Sequence, residues 1–97
     1  MRIVFEPAAR QDLFDATEWY LHEAGARQAE RFEVEVRRCL DLLVRLPALG
    51  APSRHNLRKL LLRRFPYSIV YRDEPELIRV IAVAHHRREP GYWRKPR

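Results

Sequence analysis

Residues 29–47, AERFEVEVRRCLDLLVRLP, hold the clearest periodic pattern of this chain. Steps of three and four residues separate its main apolar side chains, which is the spacing of one face of an α-helix. These side chains are Ala29, Phe32, Val36, Cys39, Leu43 and Leu46. Pro47 ends the pattern, because proline lacks the N–H that a helix interior needs. The stretch therefore predicts a long amphipathic helix with one face in a core.

The residues before this stretch predict a strand and another helix. Ile3-Val4-Phe5 is a short β-prone run, and Pro7 fits the first turn of a helix. Apolar side chains then continue at helical spacing until Gly25, and we expect Phe14 and Leu21 to widen the apolar face. The centre of that face is formed by Ala9, Leu13, Ala16 and Tyr20. Since only a few residues around Gly25 separate the helices, an antiparallel hairpin with a shared core is the simplest arrangement.

The second half of the chain predicts strands. Residues 47–53 hold two prolines and a glycine, which is typical of a loop. Three runs rich in branched and aromatic side chains follow, over residues 57–65, 67–72 and 77–84. The last run is largely apolar on both faces, so we expect a central strand. One of its faces would hold Ile78, Val80, Ala82 and Ala84. The order β-α-α-β-β-β predicts an α+β fold, with a helical hairpin packed on a small, mainly antiparallel sheet.

Length and composition favour one compact domain over residues 1–97. A chain of 97 residues is too short for two separate stable cores. No apolar stretch is long enough to cross a bilayer, and residues 1–6 do not resemble a signal peptide, so we expect a cytoplasmic protein without membrane contact. The lone Cys39 cannot form an internal disulfide. The sequence predicts neither a metal site nor a cofactor.

The positive charge is concentrated in the second half of the chain. Residues 54–97 hold 12 basic and 4 acidic side chains, whereas residues 1–53 hold 7 and 9. Some surface arginines serve only to keep a small protein soluble. In this half of the chain, however, aromatic residues lie among the basic ones, which is a combination that can bind a ligand. The basic set is Arg58, Lys59, Arg63, Arg64, Arg72, Arg87, Arg88, Arg94 and Lys95. This combination suits RNA, DNA or an acidic protein segment and does not distinguish among them.

The tandem His85-His86 is the other candidate for chemistry. Adjacent strand residues point to opposite faces, so the two rings cannot easily share one metal ion. We expect His86, beside Arg87 and Arg88, to contact phosphate or acidic groups. The glutamates of the helices are expected to form a solvated face; they are Glu18, Glu23, Glu30, Glu33 and Glu35. No phosphate-binding loop or nucleophile elbow is present in the sequence.

The chain resembles the RelE/ParE toxin superfamily, the small basic toxins of type II toxin–antitoxin modules, also called plasmid stabilisation proteins. The resemblance spans nearly the whole chain, and its most distinctive carriers lie in the second half. They are Leu57-Arg58, Phe65-Pro66-Tyr67-Ser68-Ile69-Val70-Tyr71-Arg72 and Ala82-Val83-Ala84-His85-His86-Arg87-Arg88-Glu89-Pro90-x-x-Trp93. Weaker carriers are Ile3-Val4-Phe5, Ala8-Ala9, Asp12-Leu13, Ala29-x-x-Phe32 and Leu46-Pro47-x-x-Gly50.

This resemblance implies a toxin that arrests growth and an antitoxin whose extended segment wraps its helices and sheet. Two mechanisms occur in the superfamily. RelE-like members cleave messenger RNA on the ribosome with basic residues and often a C-terminal tyrosine, whereas ParE-like members poison DNA gyrase without known chemistry of their own. An acidic and apolar antitoxin would match the basic half of this chain.

Matching positions favour the ParE-like branch. Ser68 stands where RelE-like nucleases carry an arginine, and Trp93, which cannot act as a base, stands at the position of the activating tyrosine. We therefore expect a gyrase-binding toxin that is not an enzyme. Its target-binding residues would be Arg87, Arg88, Tyr92 and Trp93.

Two alternatives remain open from the sequence. In a ribosome-dependent endoribonuclease acting on mRNA, basic side chains would neutralise phosphate while His86 or Tyr92 transfers the proton. The basic side chains would be Lys59, Arg63 and Arg87. The other alternative is an inactive nucleic-acid-binding module.

Overall fold

The computed structural model describes residues 1–87, which form two helices on one face of a five-stranded sheet. The elements are β1 (Arg2–Phe5), α1 (Pro7–Ala24), α2 (Ala26–Arg45), β2 (Ala51–Pro52), a 3₁₀ turn (Arg54–Asn56), β3 (Arg58–Leu61), β4 (Tyr67–Glu74) and β5 (Leu77–His85). The sheet order is β1-β5-β4-β3-β2, with β1 parallel to β5 and the other pairs antiparallel. The predicted α+β fold and its element order are confirmed, and β5 is an interior strand as expected. Within residues 1–87, neither helix has the apolar length to cross a membrane.

The helical hairpin turns at Gly25. Its φ of 93° lies in a region that L side chains rarely adopt, so glycine both ends α1 and precedes α2. α1 buries Ala9, Ala16 and Tyr20 against the sheet and α2, and the small alanines allow close approach. The expectation for Phe14 was wrong: it is 59% exposed, because at 3.6 residues per turn it lies about 160° around the helix from Ala16.

Leu21 is also exposed, at 42%, for the same geometric reason.

The core between the helices and the sheet is instead filled by aromatic rings from four parts of the chain. Phe32 of α2 lies at the centre, with ring centroids 5.0 Å from Tyr20, 5.3 Å from Phe65 and 5.2 Å from Tyr67. Edge-to-face and tilted ring pairs of this kind add to the energy of apolar burial. The predicted apolar face of α2 is therefore confirmed as core except at Leu46, which is 54% exposed because α2 ends at Arg45.

A β-bulge changes the predicted faces of β5. Val70 pairs with Ala82, but the next residue, Tyr71, pairs with Val80, so Ile81 is an extra residue on β5. The bulge reverses the alternation: Val80 lies in the core under the helices, whereas Ala82 belongs to a cluster on the opposite face. The expectation that Ile78, Val80, Ala82 and Ala84 share one face is therefore wrong after Val80.

The loop after α2 is fixed to the sheet by Tyr71. Its hydroxyl donates to the carbonyl oxygen of Pro47 at 2.6 Å and accepts the N–H of Gly50 at 2.9 Å. A Cβ on Gly50 would lie only 2.7 Å from the Tyr71 ring, so this close approach requires glycine. The Arg58 guanidinium donates to the Gly50 carbonyl at 2.8 Å. These contacts hold β2, which the sequence did not predict, beside β3.

Candidate functional site

The sheet face away from the helices carries several of the predicted site residues. Side chains alternate between the two faces along β4, and Ile69 lies in the core. Its neighbours on either side, Ser68 and Val70, therefore belong to the open face. Lys59 of β3 pairs with Val70 and therefore lies on the same face. A small apolar cluster covers its middle, formed by Leu57, Val70, Ala82 and Ala84 with Ile81 packed against them.

His86 is fixed at the end of β5. Its Nε2 forms a 2.9 Å hydrogen bond with Ser68 Oγ, and its backbone N–H donates to the carbonyl oxygen of Pro66 at 2.8 Å. Ser68 is 1% exposed, so its hydroxyl is directed at the histidine rather than at solvent. A neutral, engaged hydroxyl thus stands where the resemblance places an arginine in ribonuclease members. This pair sets the position of the backbone that leads into Arg87.

His85 points to the other side of the sheet, as the strand alternation predicted. Its ring lies edge-on to Tyr67, with centroids 5.0 Å apart, and its Nδ1 accepts the N–H of Arg87 at 3.0 Å. The Arg87 side chain is exposed. Residues 1–87 contain no cluster of histidine, cysteine and carboxylate side chains that could hold a metal ion.

The structure separates two residues of the ribonuclease alternative. Lys59 lies on the open face with His86, whereas Arg63 lies in the turn between β3 and β4, beside α2. The Arg63 N–H donates to Glu35 Oε2 at 2.6 Å, which holds that turn against the helix. The remaining target-binding and proton-transfer candidates, Arg88, Tyr92 and Trp93, lie outside the described residues.

Some of the basic residues have structural partners. Arg58 binds loop carbonyls, and Arg79 forms two hydrogen bonds with Glu74 and a 3.7 Å ion pair with Glu6. Arg72 is 3.7 Å from the same Glu74 carboxylate. The hydrogen bond from Arg79 lowers the pKa of the Glu74 carboxyl below its ordinary value. These pairs reduce the net charge that the strands offer to a partner.

Glu35 holds the turn at Arg63 against α2, and the expectation that it lies on a solvated face is wrong, because its side chain is 11% exposed. Its carboxylate accepts hydrogen bonds from Arg38 at 2.7 and 2.8 Å, from the Arg63 N–H and, at 3.6 Å, from the Cys39 thiol. The Arg38 hydrogen bonds, with that from Arg63, lower the pKa of the Glu35 carboxyl although burial opposes them. The spacing of Glu35 and Arg38 could have suggested their ion pair. No local pattern could have suggested the bond to Arg63.

A groove of about 770 Å³ runs beside this glutamate, between the outer face of α2 and the turn at residues 63–65. Its basic lining comes from two distant parts of the chain. The arginines are Arg27, Arg31, Arg38, Arg63 and Arg64, and the other lining residues are Gln28, Glu30, Val34, Glu35 and Phe65. Arg63 and Arg64 were functional candidates from the sequence, whereas Arg27 and Arg31 were not.

The buried carboxylate of Asp12 binds the backbone of β5 on the side where β1 pairs with it, beyond the point where β1 ends. The strand β1 pairs with β5 only as far as Val80. Further along β5, the N–H of Val83 is bound by Asp12 Oδ2 at 3.1 Å. Asp12 also lines a small cavity of about 190 Å³ with Asp15, Trp19 and His85. Its carboxylate supports the sheet where a strand partner ends, which explains why an acid can be buried here.

The comparisons with known proteins agree with this architecture. Residues 3–90 match the family model of the ParE toxin of type II toxin-antitoxin system, parDE. The fold is similar to that of a chain from the chromosomal ParDE TA system of P. aeruginosa, with a TM-score of 0.76 and 22% sequence identity, over 88% of this chain and 95% of that chain. Among curated proteins none matches. The resemblance to the RelE/ParE superfamily is confirmed, and since the family model spans most of the sequence, this chain belongs to the ParE toxins of type II toxin–antitoxin systems.

Proposed function

We propose that this toxin arrests growth in the cytoplasm by binding DNA gyrase, and that a cognate antitoxin neutralises it. Such a pair would stabilise the replicon that encodes it. Family membership implies the antitoxin partner. The observation that supports gyrase binding over RNA cleavage is the Ser68–His86 hydrogen bond. It places an engaged, uncharged hydroxyl where ribonuclease members use a cation on the phosphate.

The position of Arg63 supports the same reading. A ribonuclease site needs its cations and its proton-transfer group around one phosphate. Arg63 is on the helix side of the molecule, whereas Lys59 and His86 are on the open face. The gyrase reading needs no such convergence. It needs exposed positive charge in a defined position, and Arg87, which directly follows the fixed His86, provides it.

The test is a gyrase cleavage assay with purified, folded toxin, ATP and supercoiled plasmid. Accumulation of linear plasmid, suppressed by the antitoxin, is the expected result. Arg87→Ala should reduce the linear product, whereas Arg37→Ala, an equal loss of charge at an exposed position on α2, should not. If folded toxin produces no linear plasmid, the proposal is contradicted. If the two variants are equally active, the role of Arg87 is contradicted.

Ribosome-dependent RNA cleavage remains the second candidate, because Lys59 and His86 share the open face of the sheet. Induction of the toxin followed by primer extension on abundant transcripts tests it. Cleavage that requires translating ribosomes and is lost in Lys59→Ala and His86→Ala would establish this activity in place of gyrase poisoning. Intact transcripts would exclude it.

A further inference from the structure

A histidine ring holds the backbone N–H of Arg87. The preceding N–H, that of His86, donates to the Pro66 carbonyl oxygen at 2.8 Å, so His86 still takes part in the backbone pairing at the end of the sheet. One residue later, the Arg87 N–H donates to Nδ1 of the His85 ring at 3.0 Å. That ring is itself placed by Tyr67, to which it lies edge-on with centroids 5.0 Å apart. The ring therefore sets the direction of the chain where it leaves β5.

The hydrogen bond between Arg87 and His85 requires a neutral imidazole. A neutral ring has one nitrogen without a proton, which accepts, whereas the imidazolium carries a proton on both nitrogens and only donates. A backbone N–H also only donates, so protonation of His85 would leave two N–H groups facing each other. An imidazole ordinarily changes its charge between about pH 5 and 8. The contact that holds Arg87 is therefore one that a proton can break near neutral pH.

The hydrogen bond of the neighbouring histidine does not have this sensitivity. His86 Nε2 lies 2.9 Å from Ser68 Oγ, on the other face of the sheet. A hydroxyl both donates and accepts, so this pair can keep its hydrogen bond whether His86 is neutral or charged. Protonation should therefore loosen the chain at Arg87 through His85, and leave the contact of His86 with Ser68 in place.

The groups around His85 make its protonated form accessible. From α1, Asp12 and Asp15 line the same cavity of about 190 Å³ as the His85 ring, and hydrogen bonds hold both carboxylates in place. Negative charge close to an imidazole stabilises the imidazolium. From β4 comes the phenol ring of Tyr67, and on the chain that continues from β5 the exposed Arg87 guanidinium opposes protonation. The carboxylates outnumber this cation, so the local charge favours binding of a proton by His85.

We propose that His85 is a pH-dependent positioning residue: its neutral ring holds the Arg87 backbone in the orientation that the target binds, and its protonation releases that backbone. The inference rests on the proposed binding of gyrase through Arg87 and adds the residue that orients it. The hold is fully present above the pH range in which His85 titrates and is lost as the pH falls through that range. Inhibition of the target should weaken over the same range.

The first test is an NMR titration of the full-length wild-type protein between about pH 5 and 8. The ring signals of His85 and His86 report the charge of each histidine, and the amide signal of Arg87 reports its hydrogen bond. We expect the Arg87 amide to shift with the same midpoint as the His85 ring. An Arg87 amide that follows the His86 ring, or that stays in place while His85 titrates, overturns the inference. This measurement needs no gyrase, so its result does not depend on the target.

Three variants separate the acceptor from the ring. His85→Asn places a carbonyl oxygen near the position of Nδ1 and so keeps an acceptor that does not titrate, whereas His85→Phe keeps a ring beside Tyr67 without an acceptor. The control is His55→Asn, the same change at an exposed residue whose φ of 60° asparagine tolerates. The Arg87 amide should keep its high-pH shift in His85→Asn at every pH and should not titrate in His85→Phe.

The gyrase cleavage assay then compares each His85 variant with the control at the same pH, which cancels the pH dependence of gyrase itself. At high pH, His85→Phe should give about fivefold less linear plasmid than His55→Asn, the effect of one lost hydrogen bond. As the pH falls, the control should approach His85→Phe, whereas His85→Asn should not.

An equal fall of His85→Asn and the control overturns the inference and leaves gyrase binding intact. If no folded protein produces linear plasmid at any pH, the proposed function fails. The NMR titration then decides by itself whether the neutral His85 ring holds Arg87.

Discussion

Replacing Tyr71 with phenylalanine removes one hydroxyl that serves two backbone groups of the loop after α2. In the native protein, that hydroxyl donates to the Pro47 carbonyl and accepts the Gly50 N–H. Tyr71 is 0% exposed and Gly50 is buried, so water cannot simply replace the lost bonds. Burial raises the pKa of the Tyr71 phenol, which keeps the proton available for donation.

The size of the effect follows from two orphaned groups. An unsatisfied buried donor or acceptor costs about 1–3 kcal/mol. With some relaxation of the loop, Tyr71→Phe should lower the free energy of unfolding by about 2–4 kcal/mol. For a domain of this length, that corresponds to a fall in Tm of about 10–20 °C. Removing the whole ring would confuse this effect with a cavity, so phenylalanine is the appropriate substitution.

The assay is denaturant unfolding followed by circular dichroism, with Tyr20→Phe as the matched control. Tyr20 is also buried in the core, but its hydroxyl makes no hydrogen bond among the residues that the structure describes. Its loss should change the free energy of unfolding by less than about 1 kcal/mol. The midpoint of Tyr71→Phe should fall with an unchanged denaturant slope. Equal midpoints for the two variants would refute the reasoning that the Tyr71 hydroxyl fixes the loop.

Three other residues give further predictions. Asp12→Ala should lower the free energy of unfolding by about 1–3 kcal/mol in thermal or chemical melts, because the buried Val83 N–H loses its acceptor, and Asp12→Asn should recover part of it. Because the pKa of the Glu35 carboxyl is lowered in the folded protein, its contribution to the free energy of unfolding is fully present above pH 4.5, the ordinary pKa, and is lost as the pH falls through the folded pKa. Glu35→Gln should therefore flatten the acid limb of a plot of stability against pH, and an unchanged limb would contradict this. Burial raises the pKa of the Cys39 thiol to about 11, so its alkylation at pH 8 should be slow in native protein and fast in denaturant.

Much of the fold could be predicted because its signals are local. The helical spacing of the apolar residues predicted both helices, and Gly25 and Pro47 mark their ends for backbone reasons that hold in any surroundings. The strand runs were also correct in order, although β3 covers only Arg58–Leu61 of the predicted run 57–65 and β4 continues beyond the predicted residue 72 to Glu74. The short strand β2 was missed, since its two residues, Ala51 and Pro52, carry no strand pattern and depend on pairing with β3.

The candidate site could be predicted only as a set of residue types. The run from His85 to Arg87 was recognisable as a functional candidate, and the opposite directions of the two histidines followed from strand geometry. Arg27 and Arg31 had no assigned role in the sequence. Their role in a groove depends on where the turn with Arg63 and Arg64 packs, which no pattern within α2 contains.

The sequence by itself determined the two helices, the three main strands, the basic second half and the family, because each of these depends on a pattern of residues close together in the sequence. The tertiary structure decided which side chains meet. Ser68 with His86, Asp12 with Val83, Glu35 with Arg63 and Tyr71 with Gly50 are separated by 18, 71, 28 and 21 positions. A hydrogen bond requires approach to about 3 Å, and for residues so far apart only the packing of helices on the sheet brings that about.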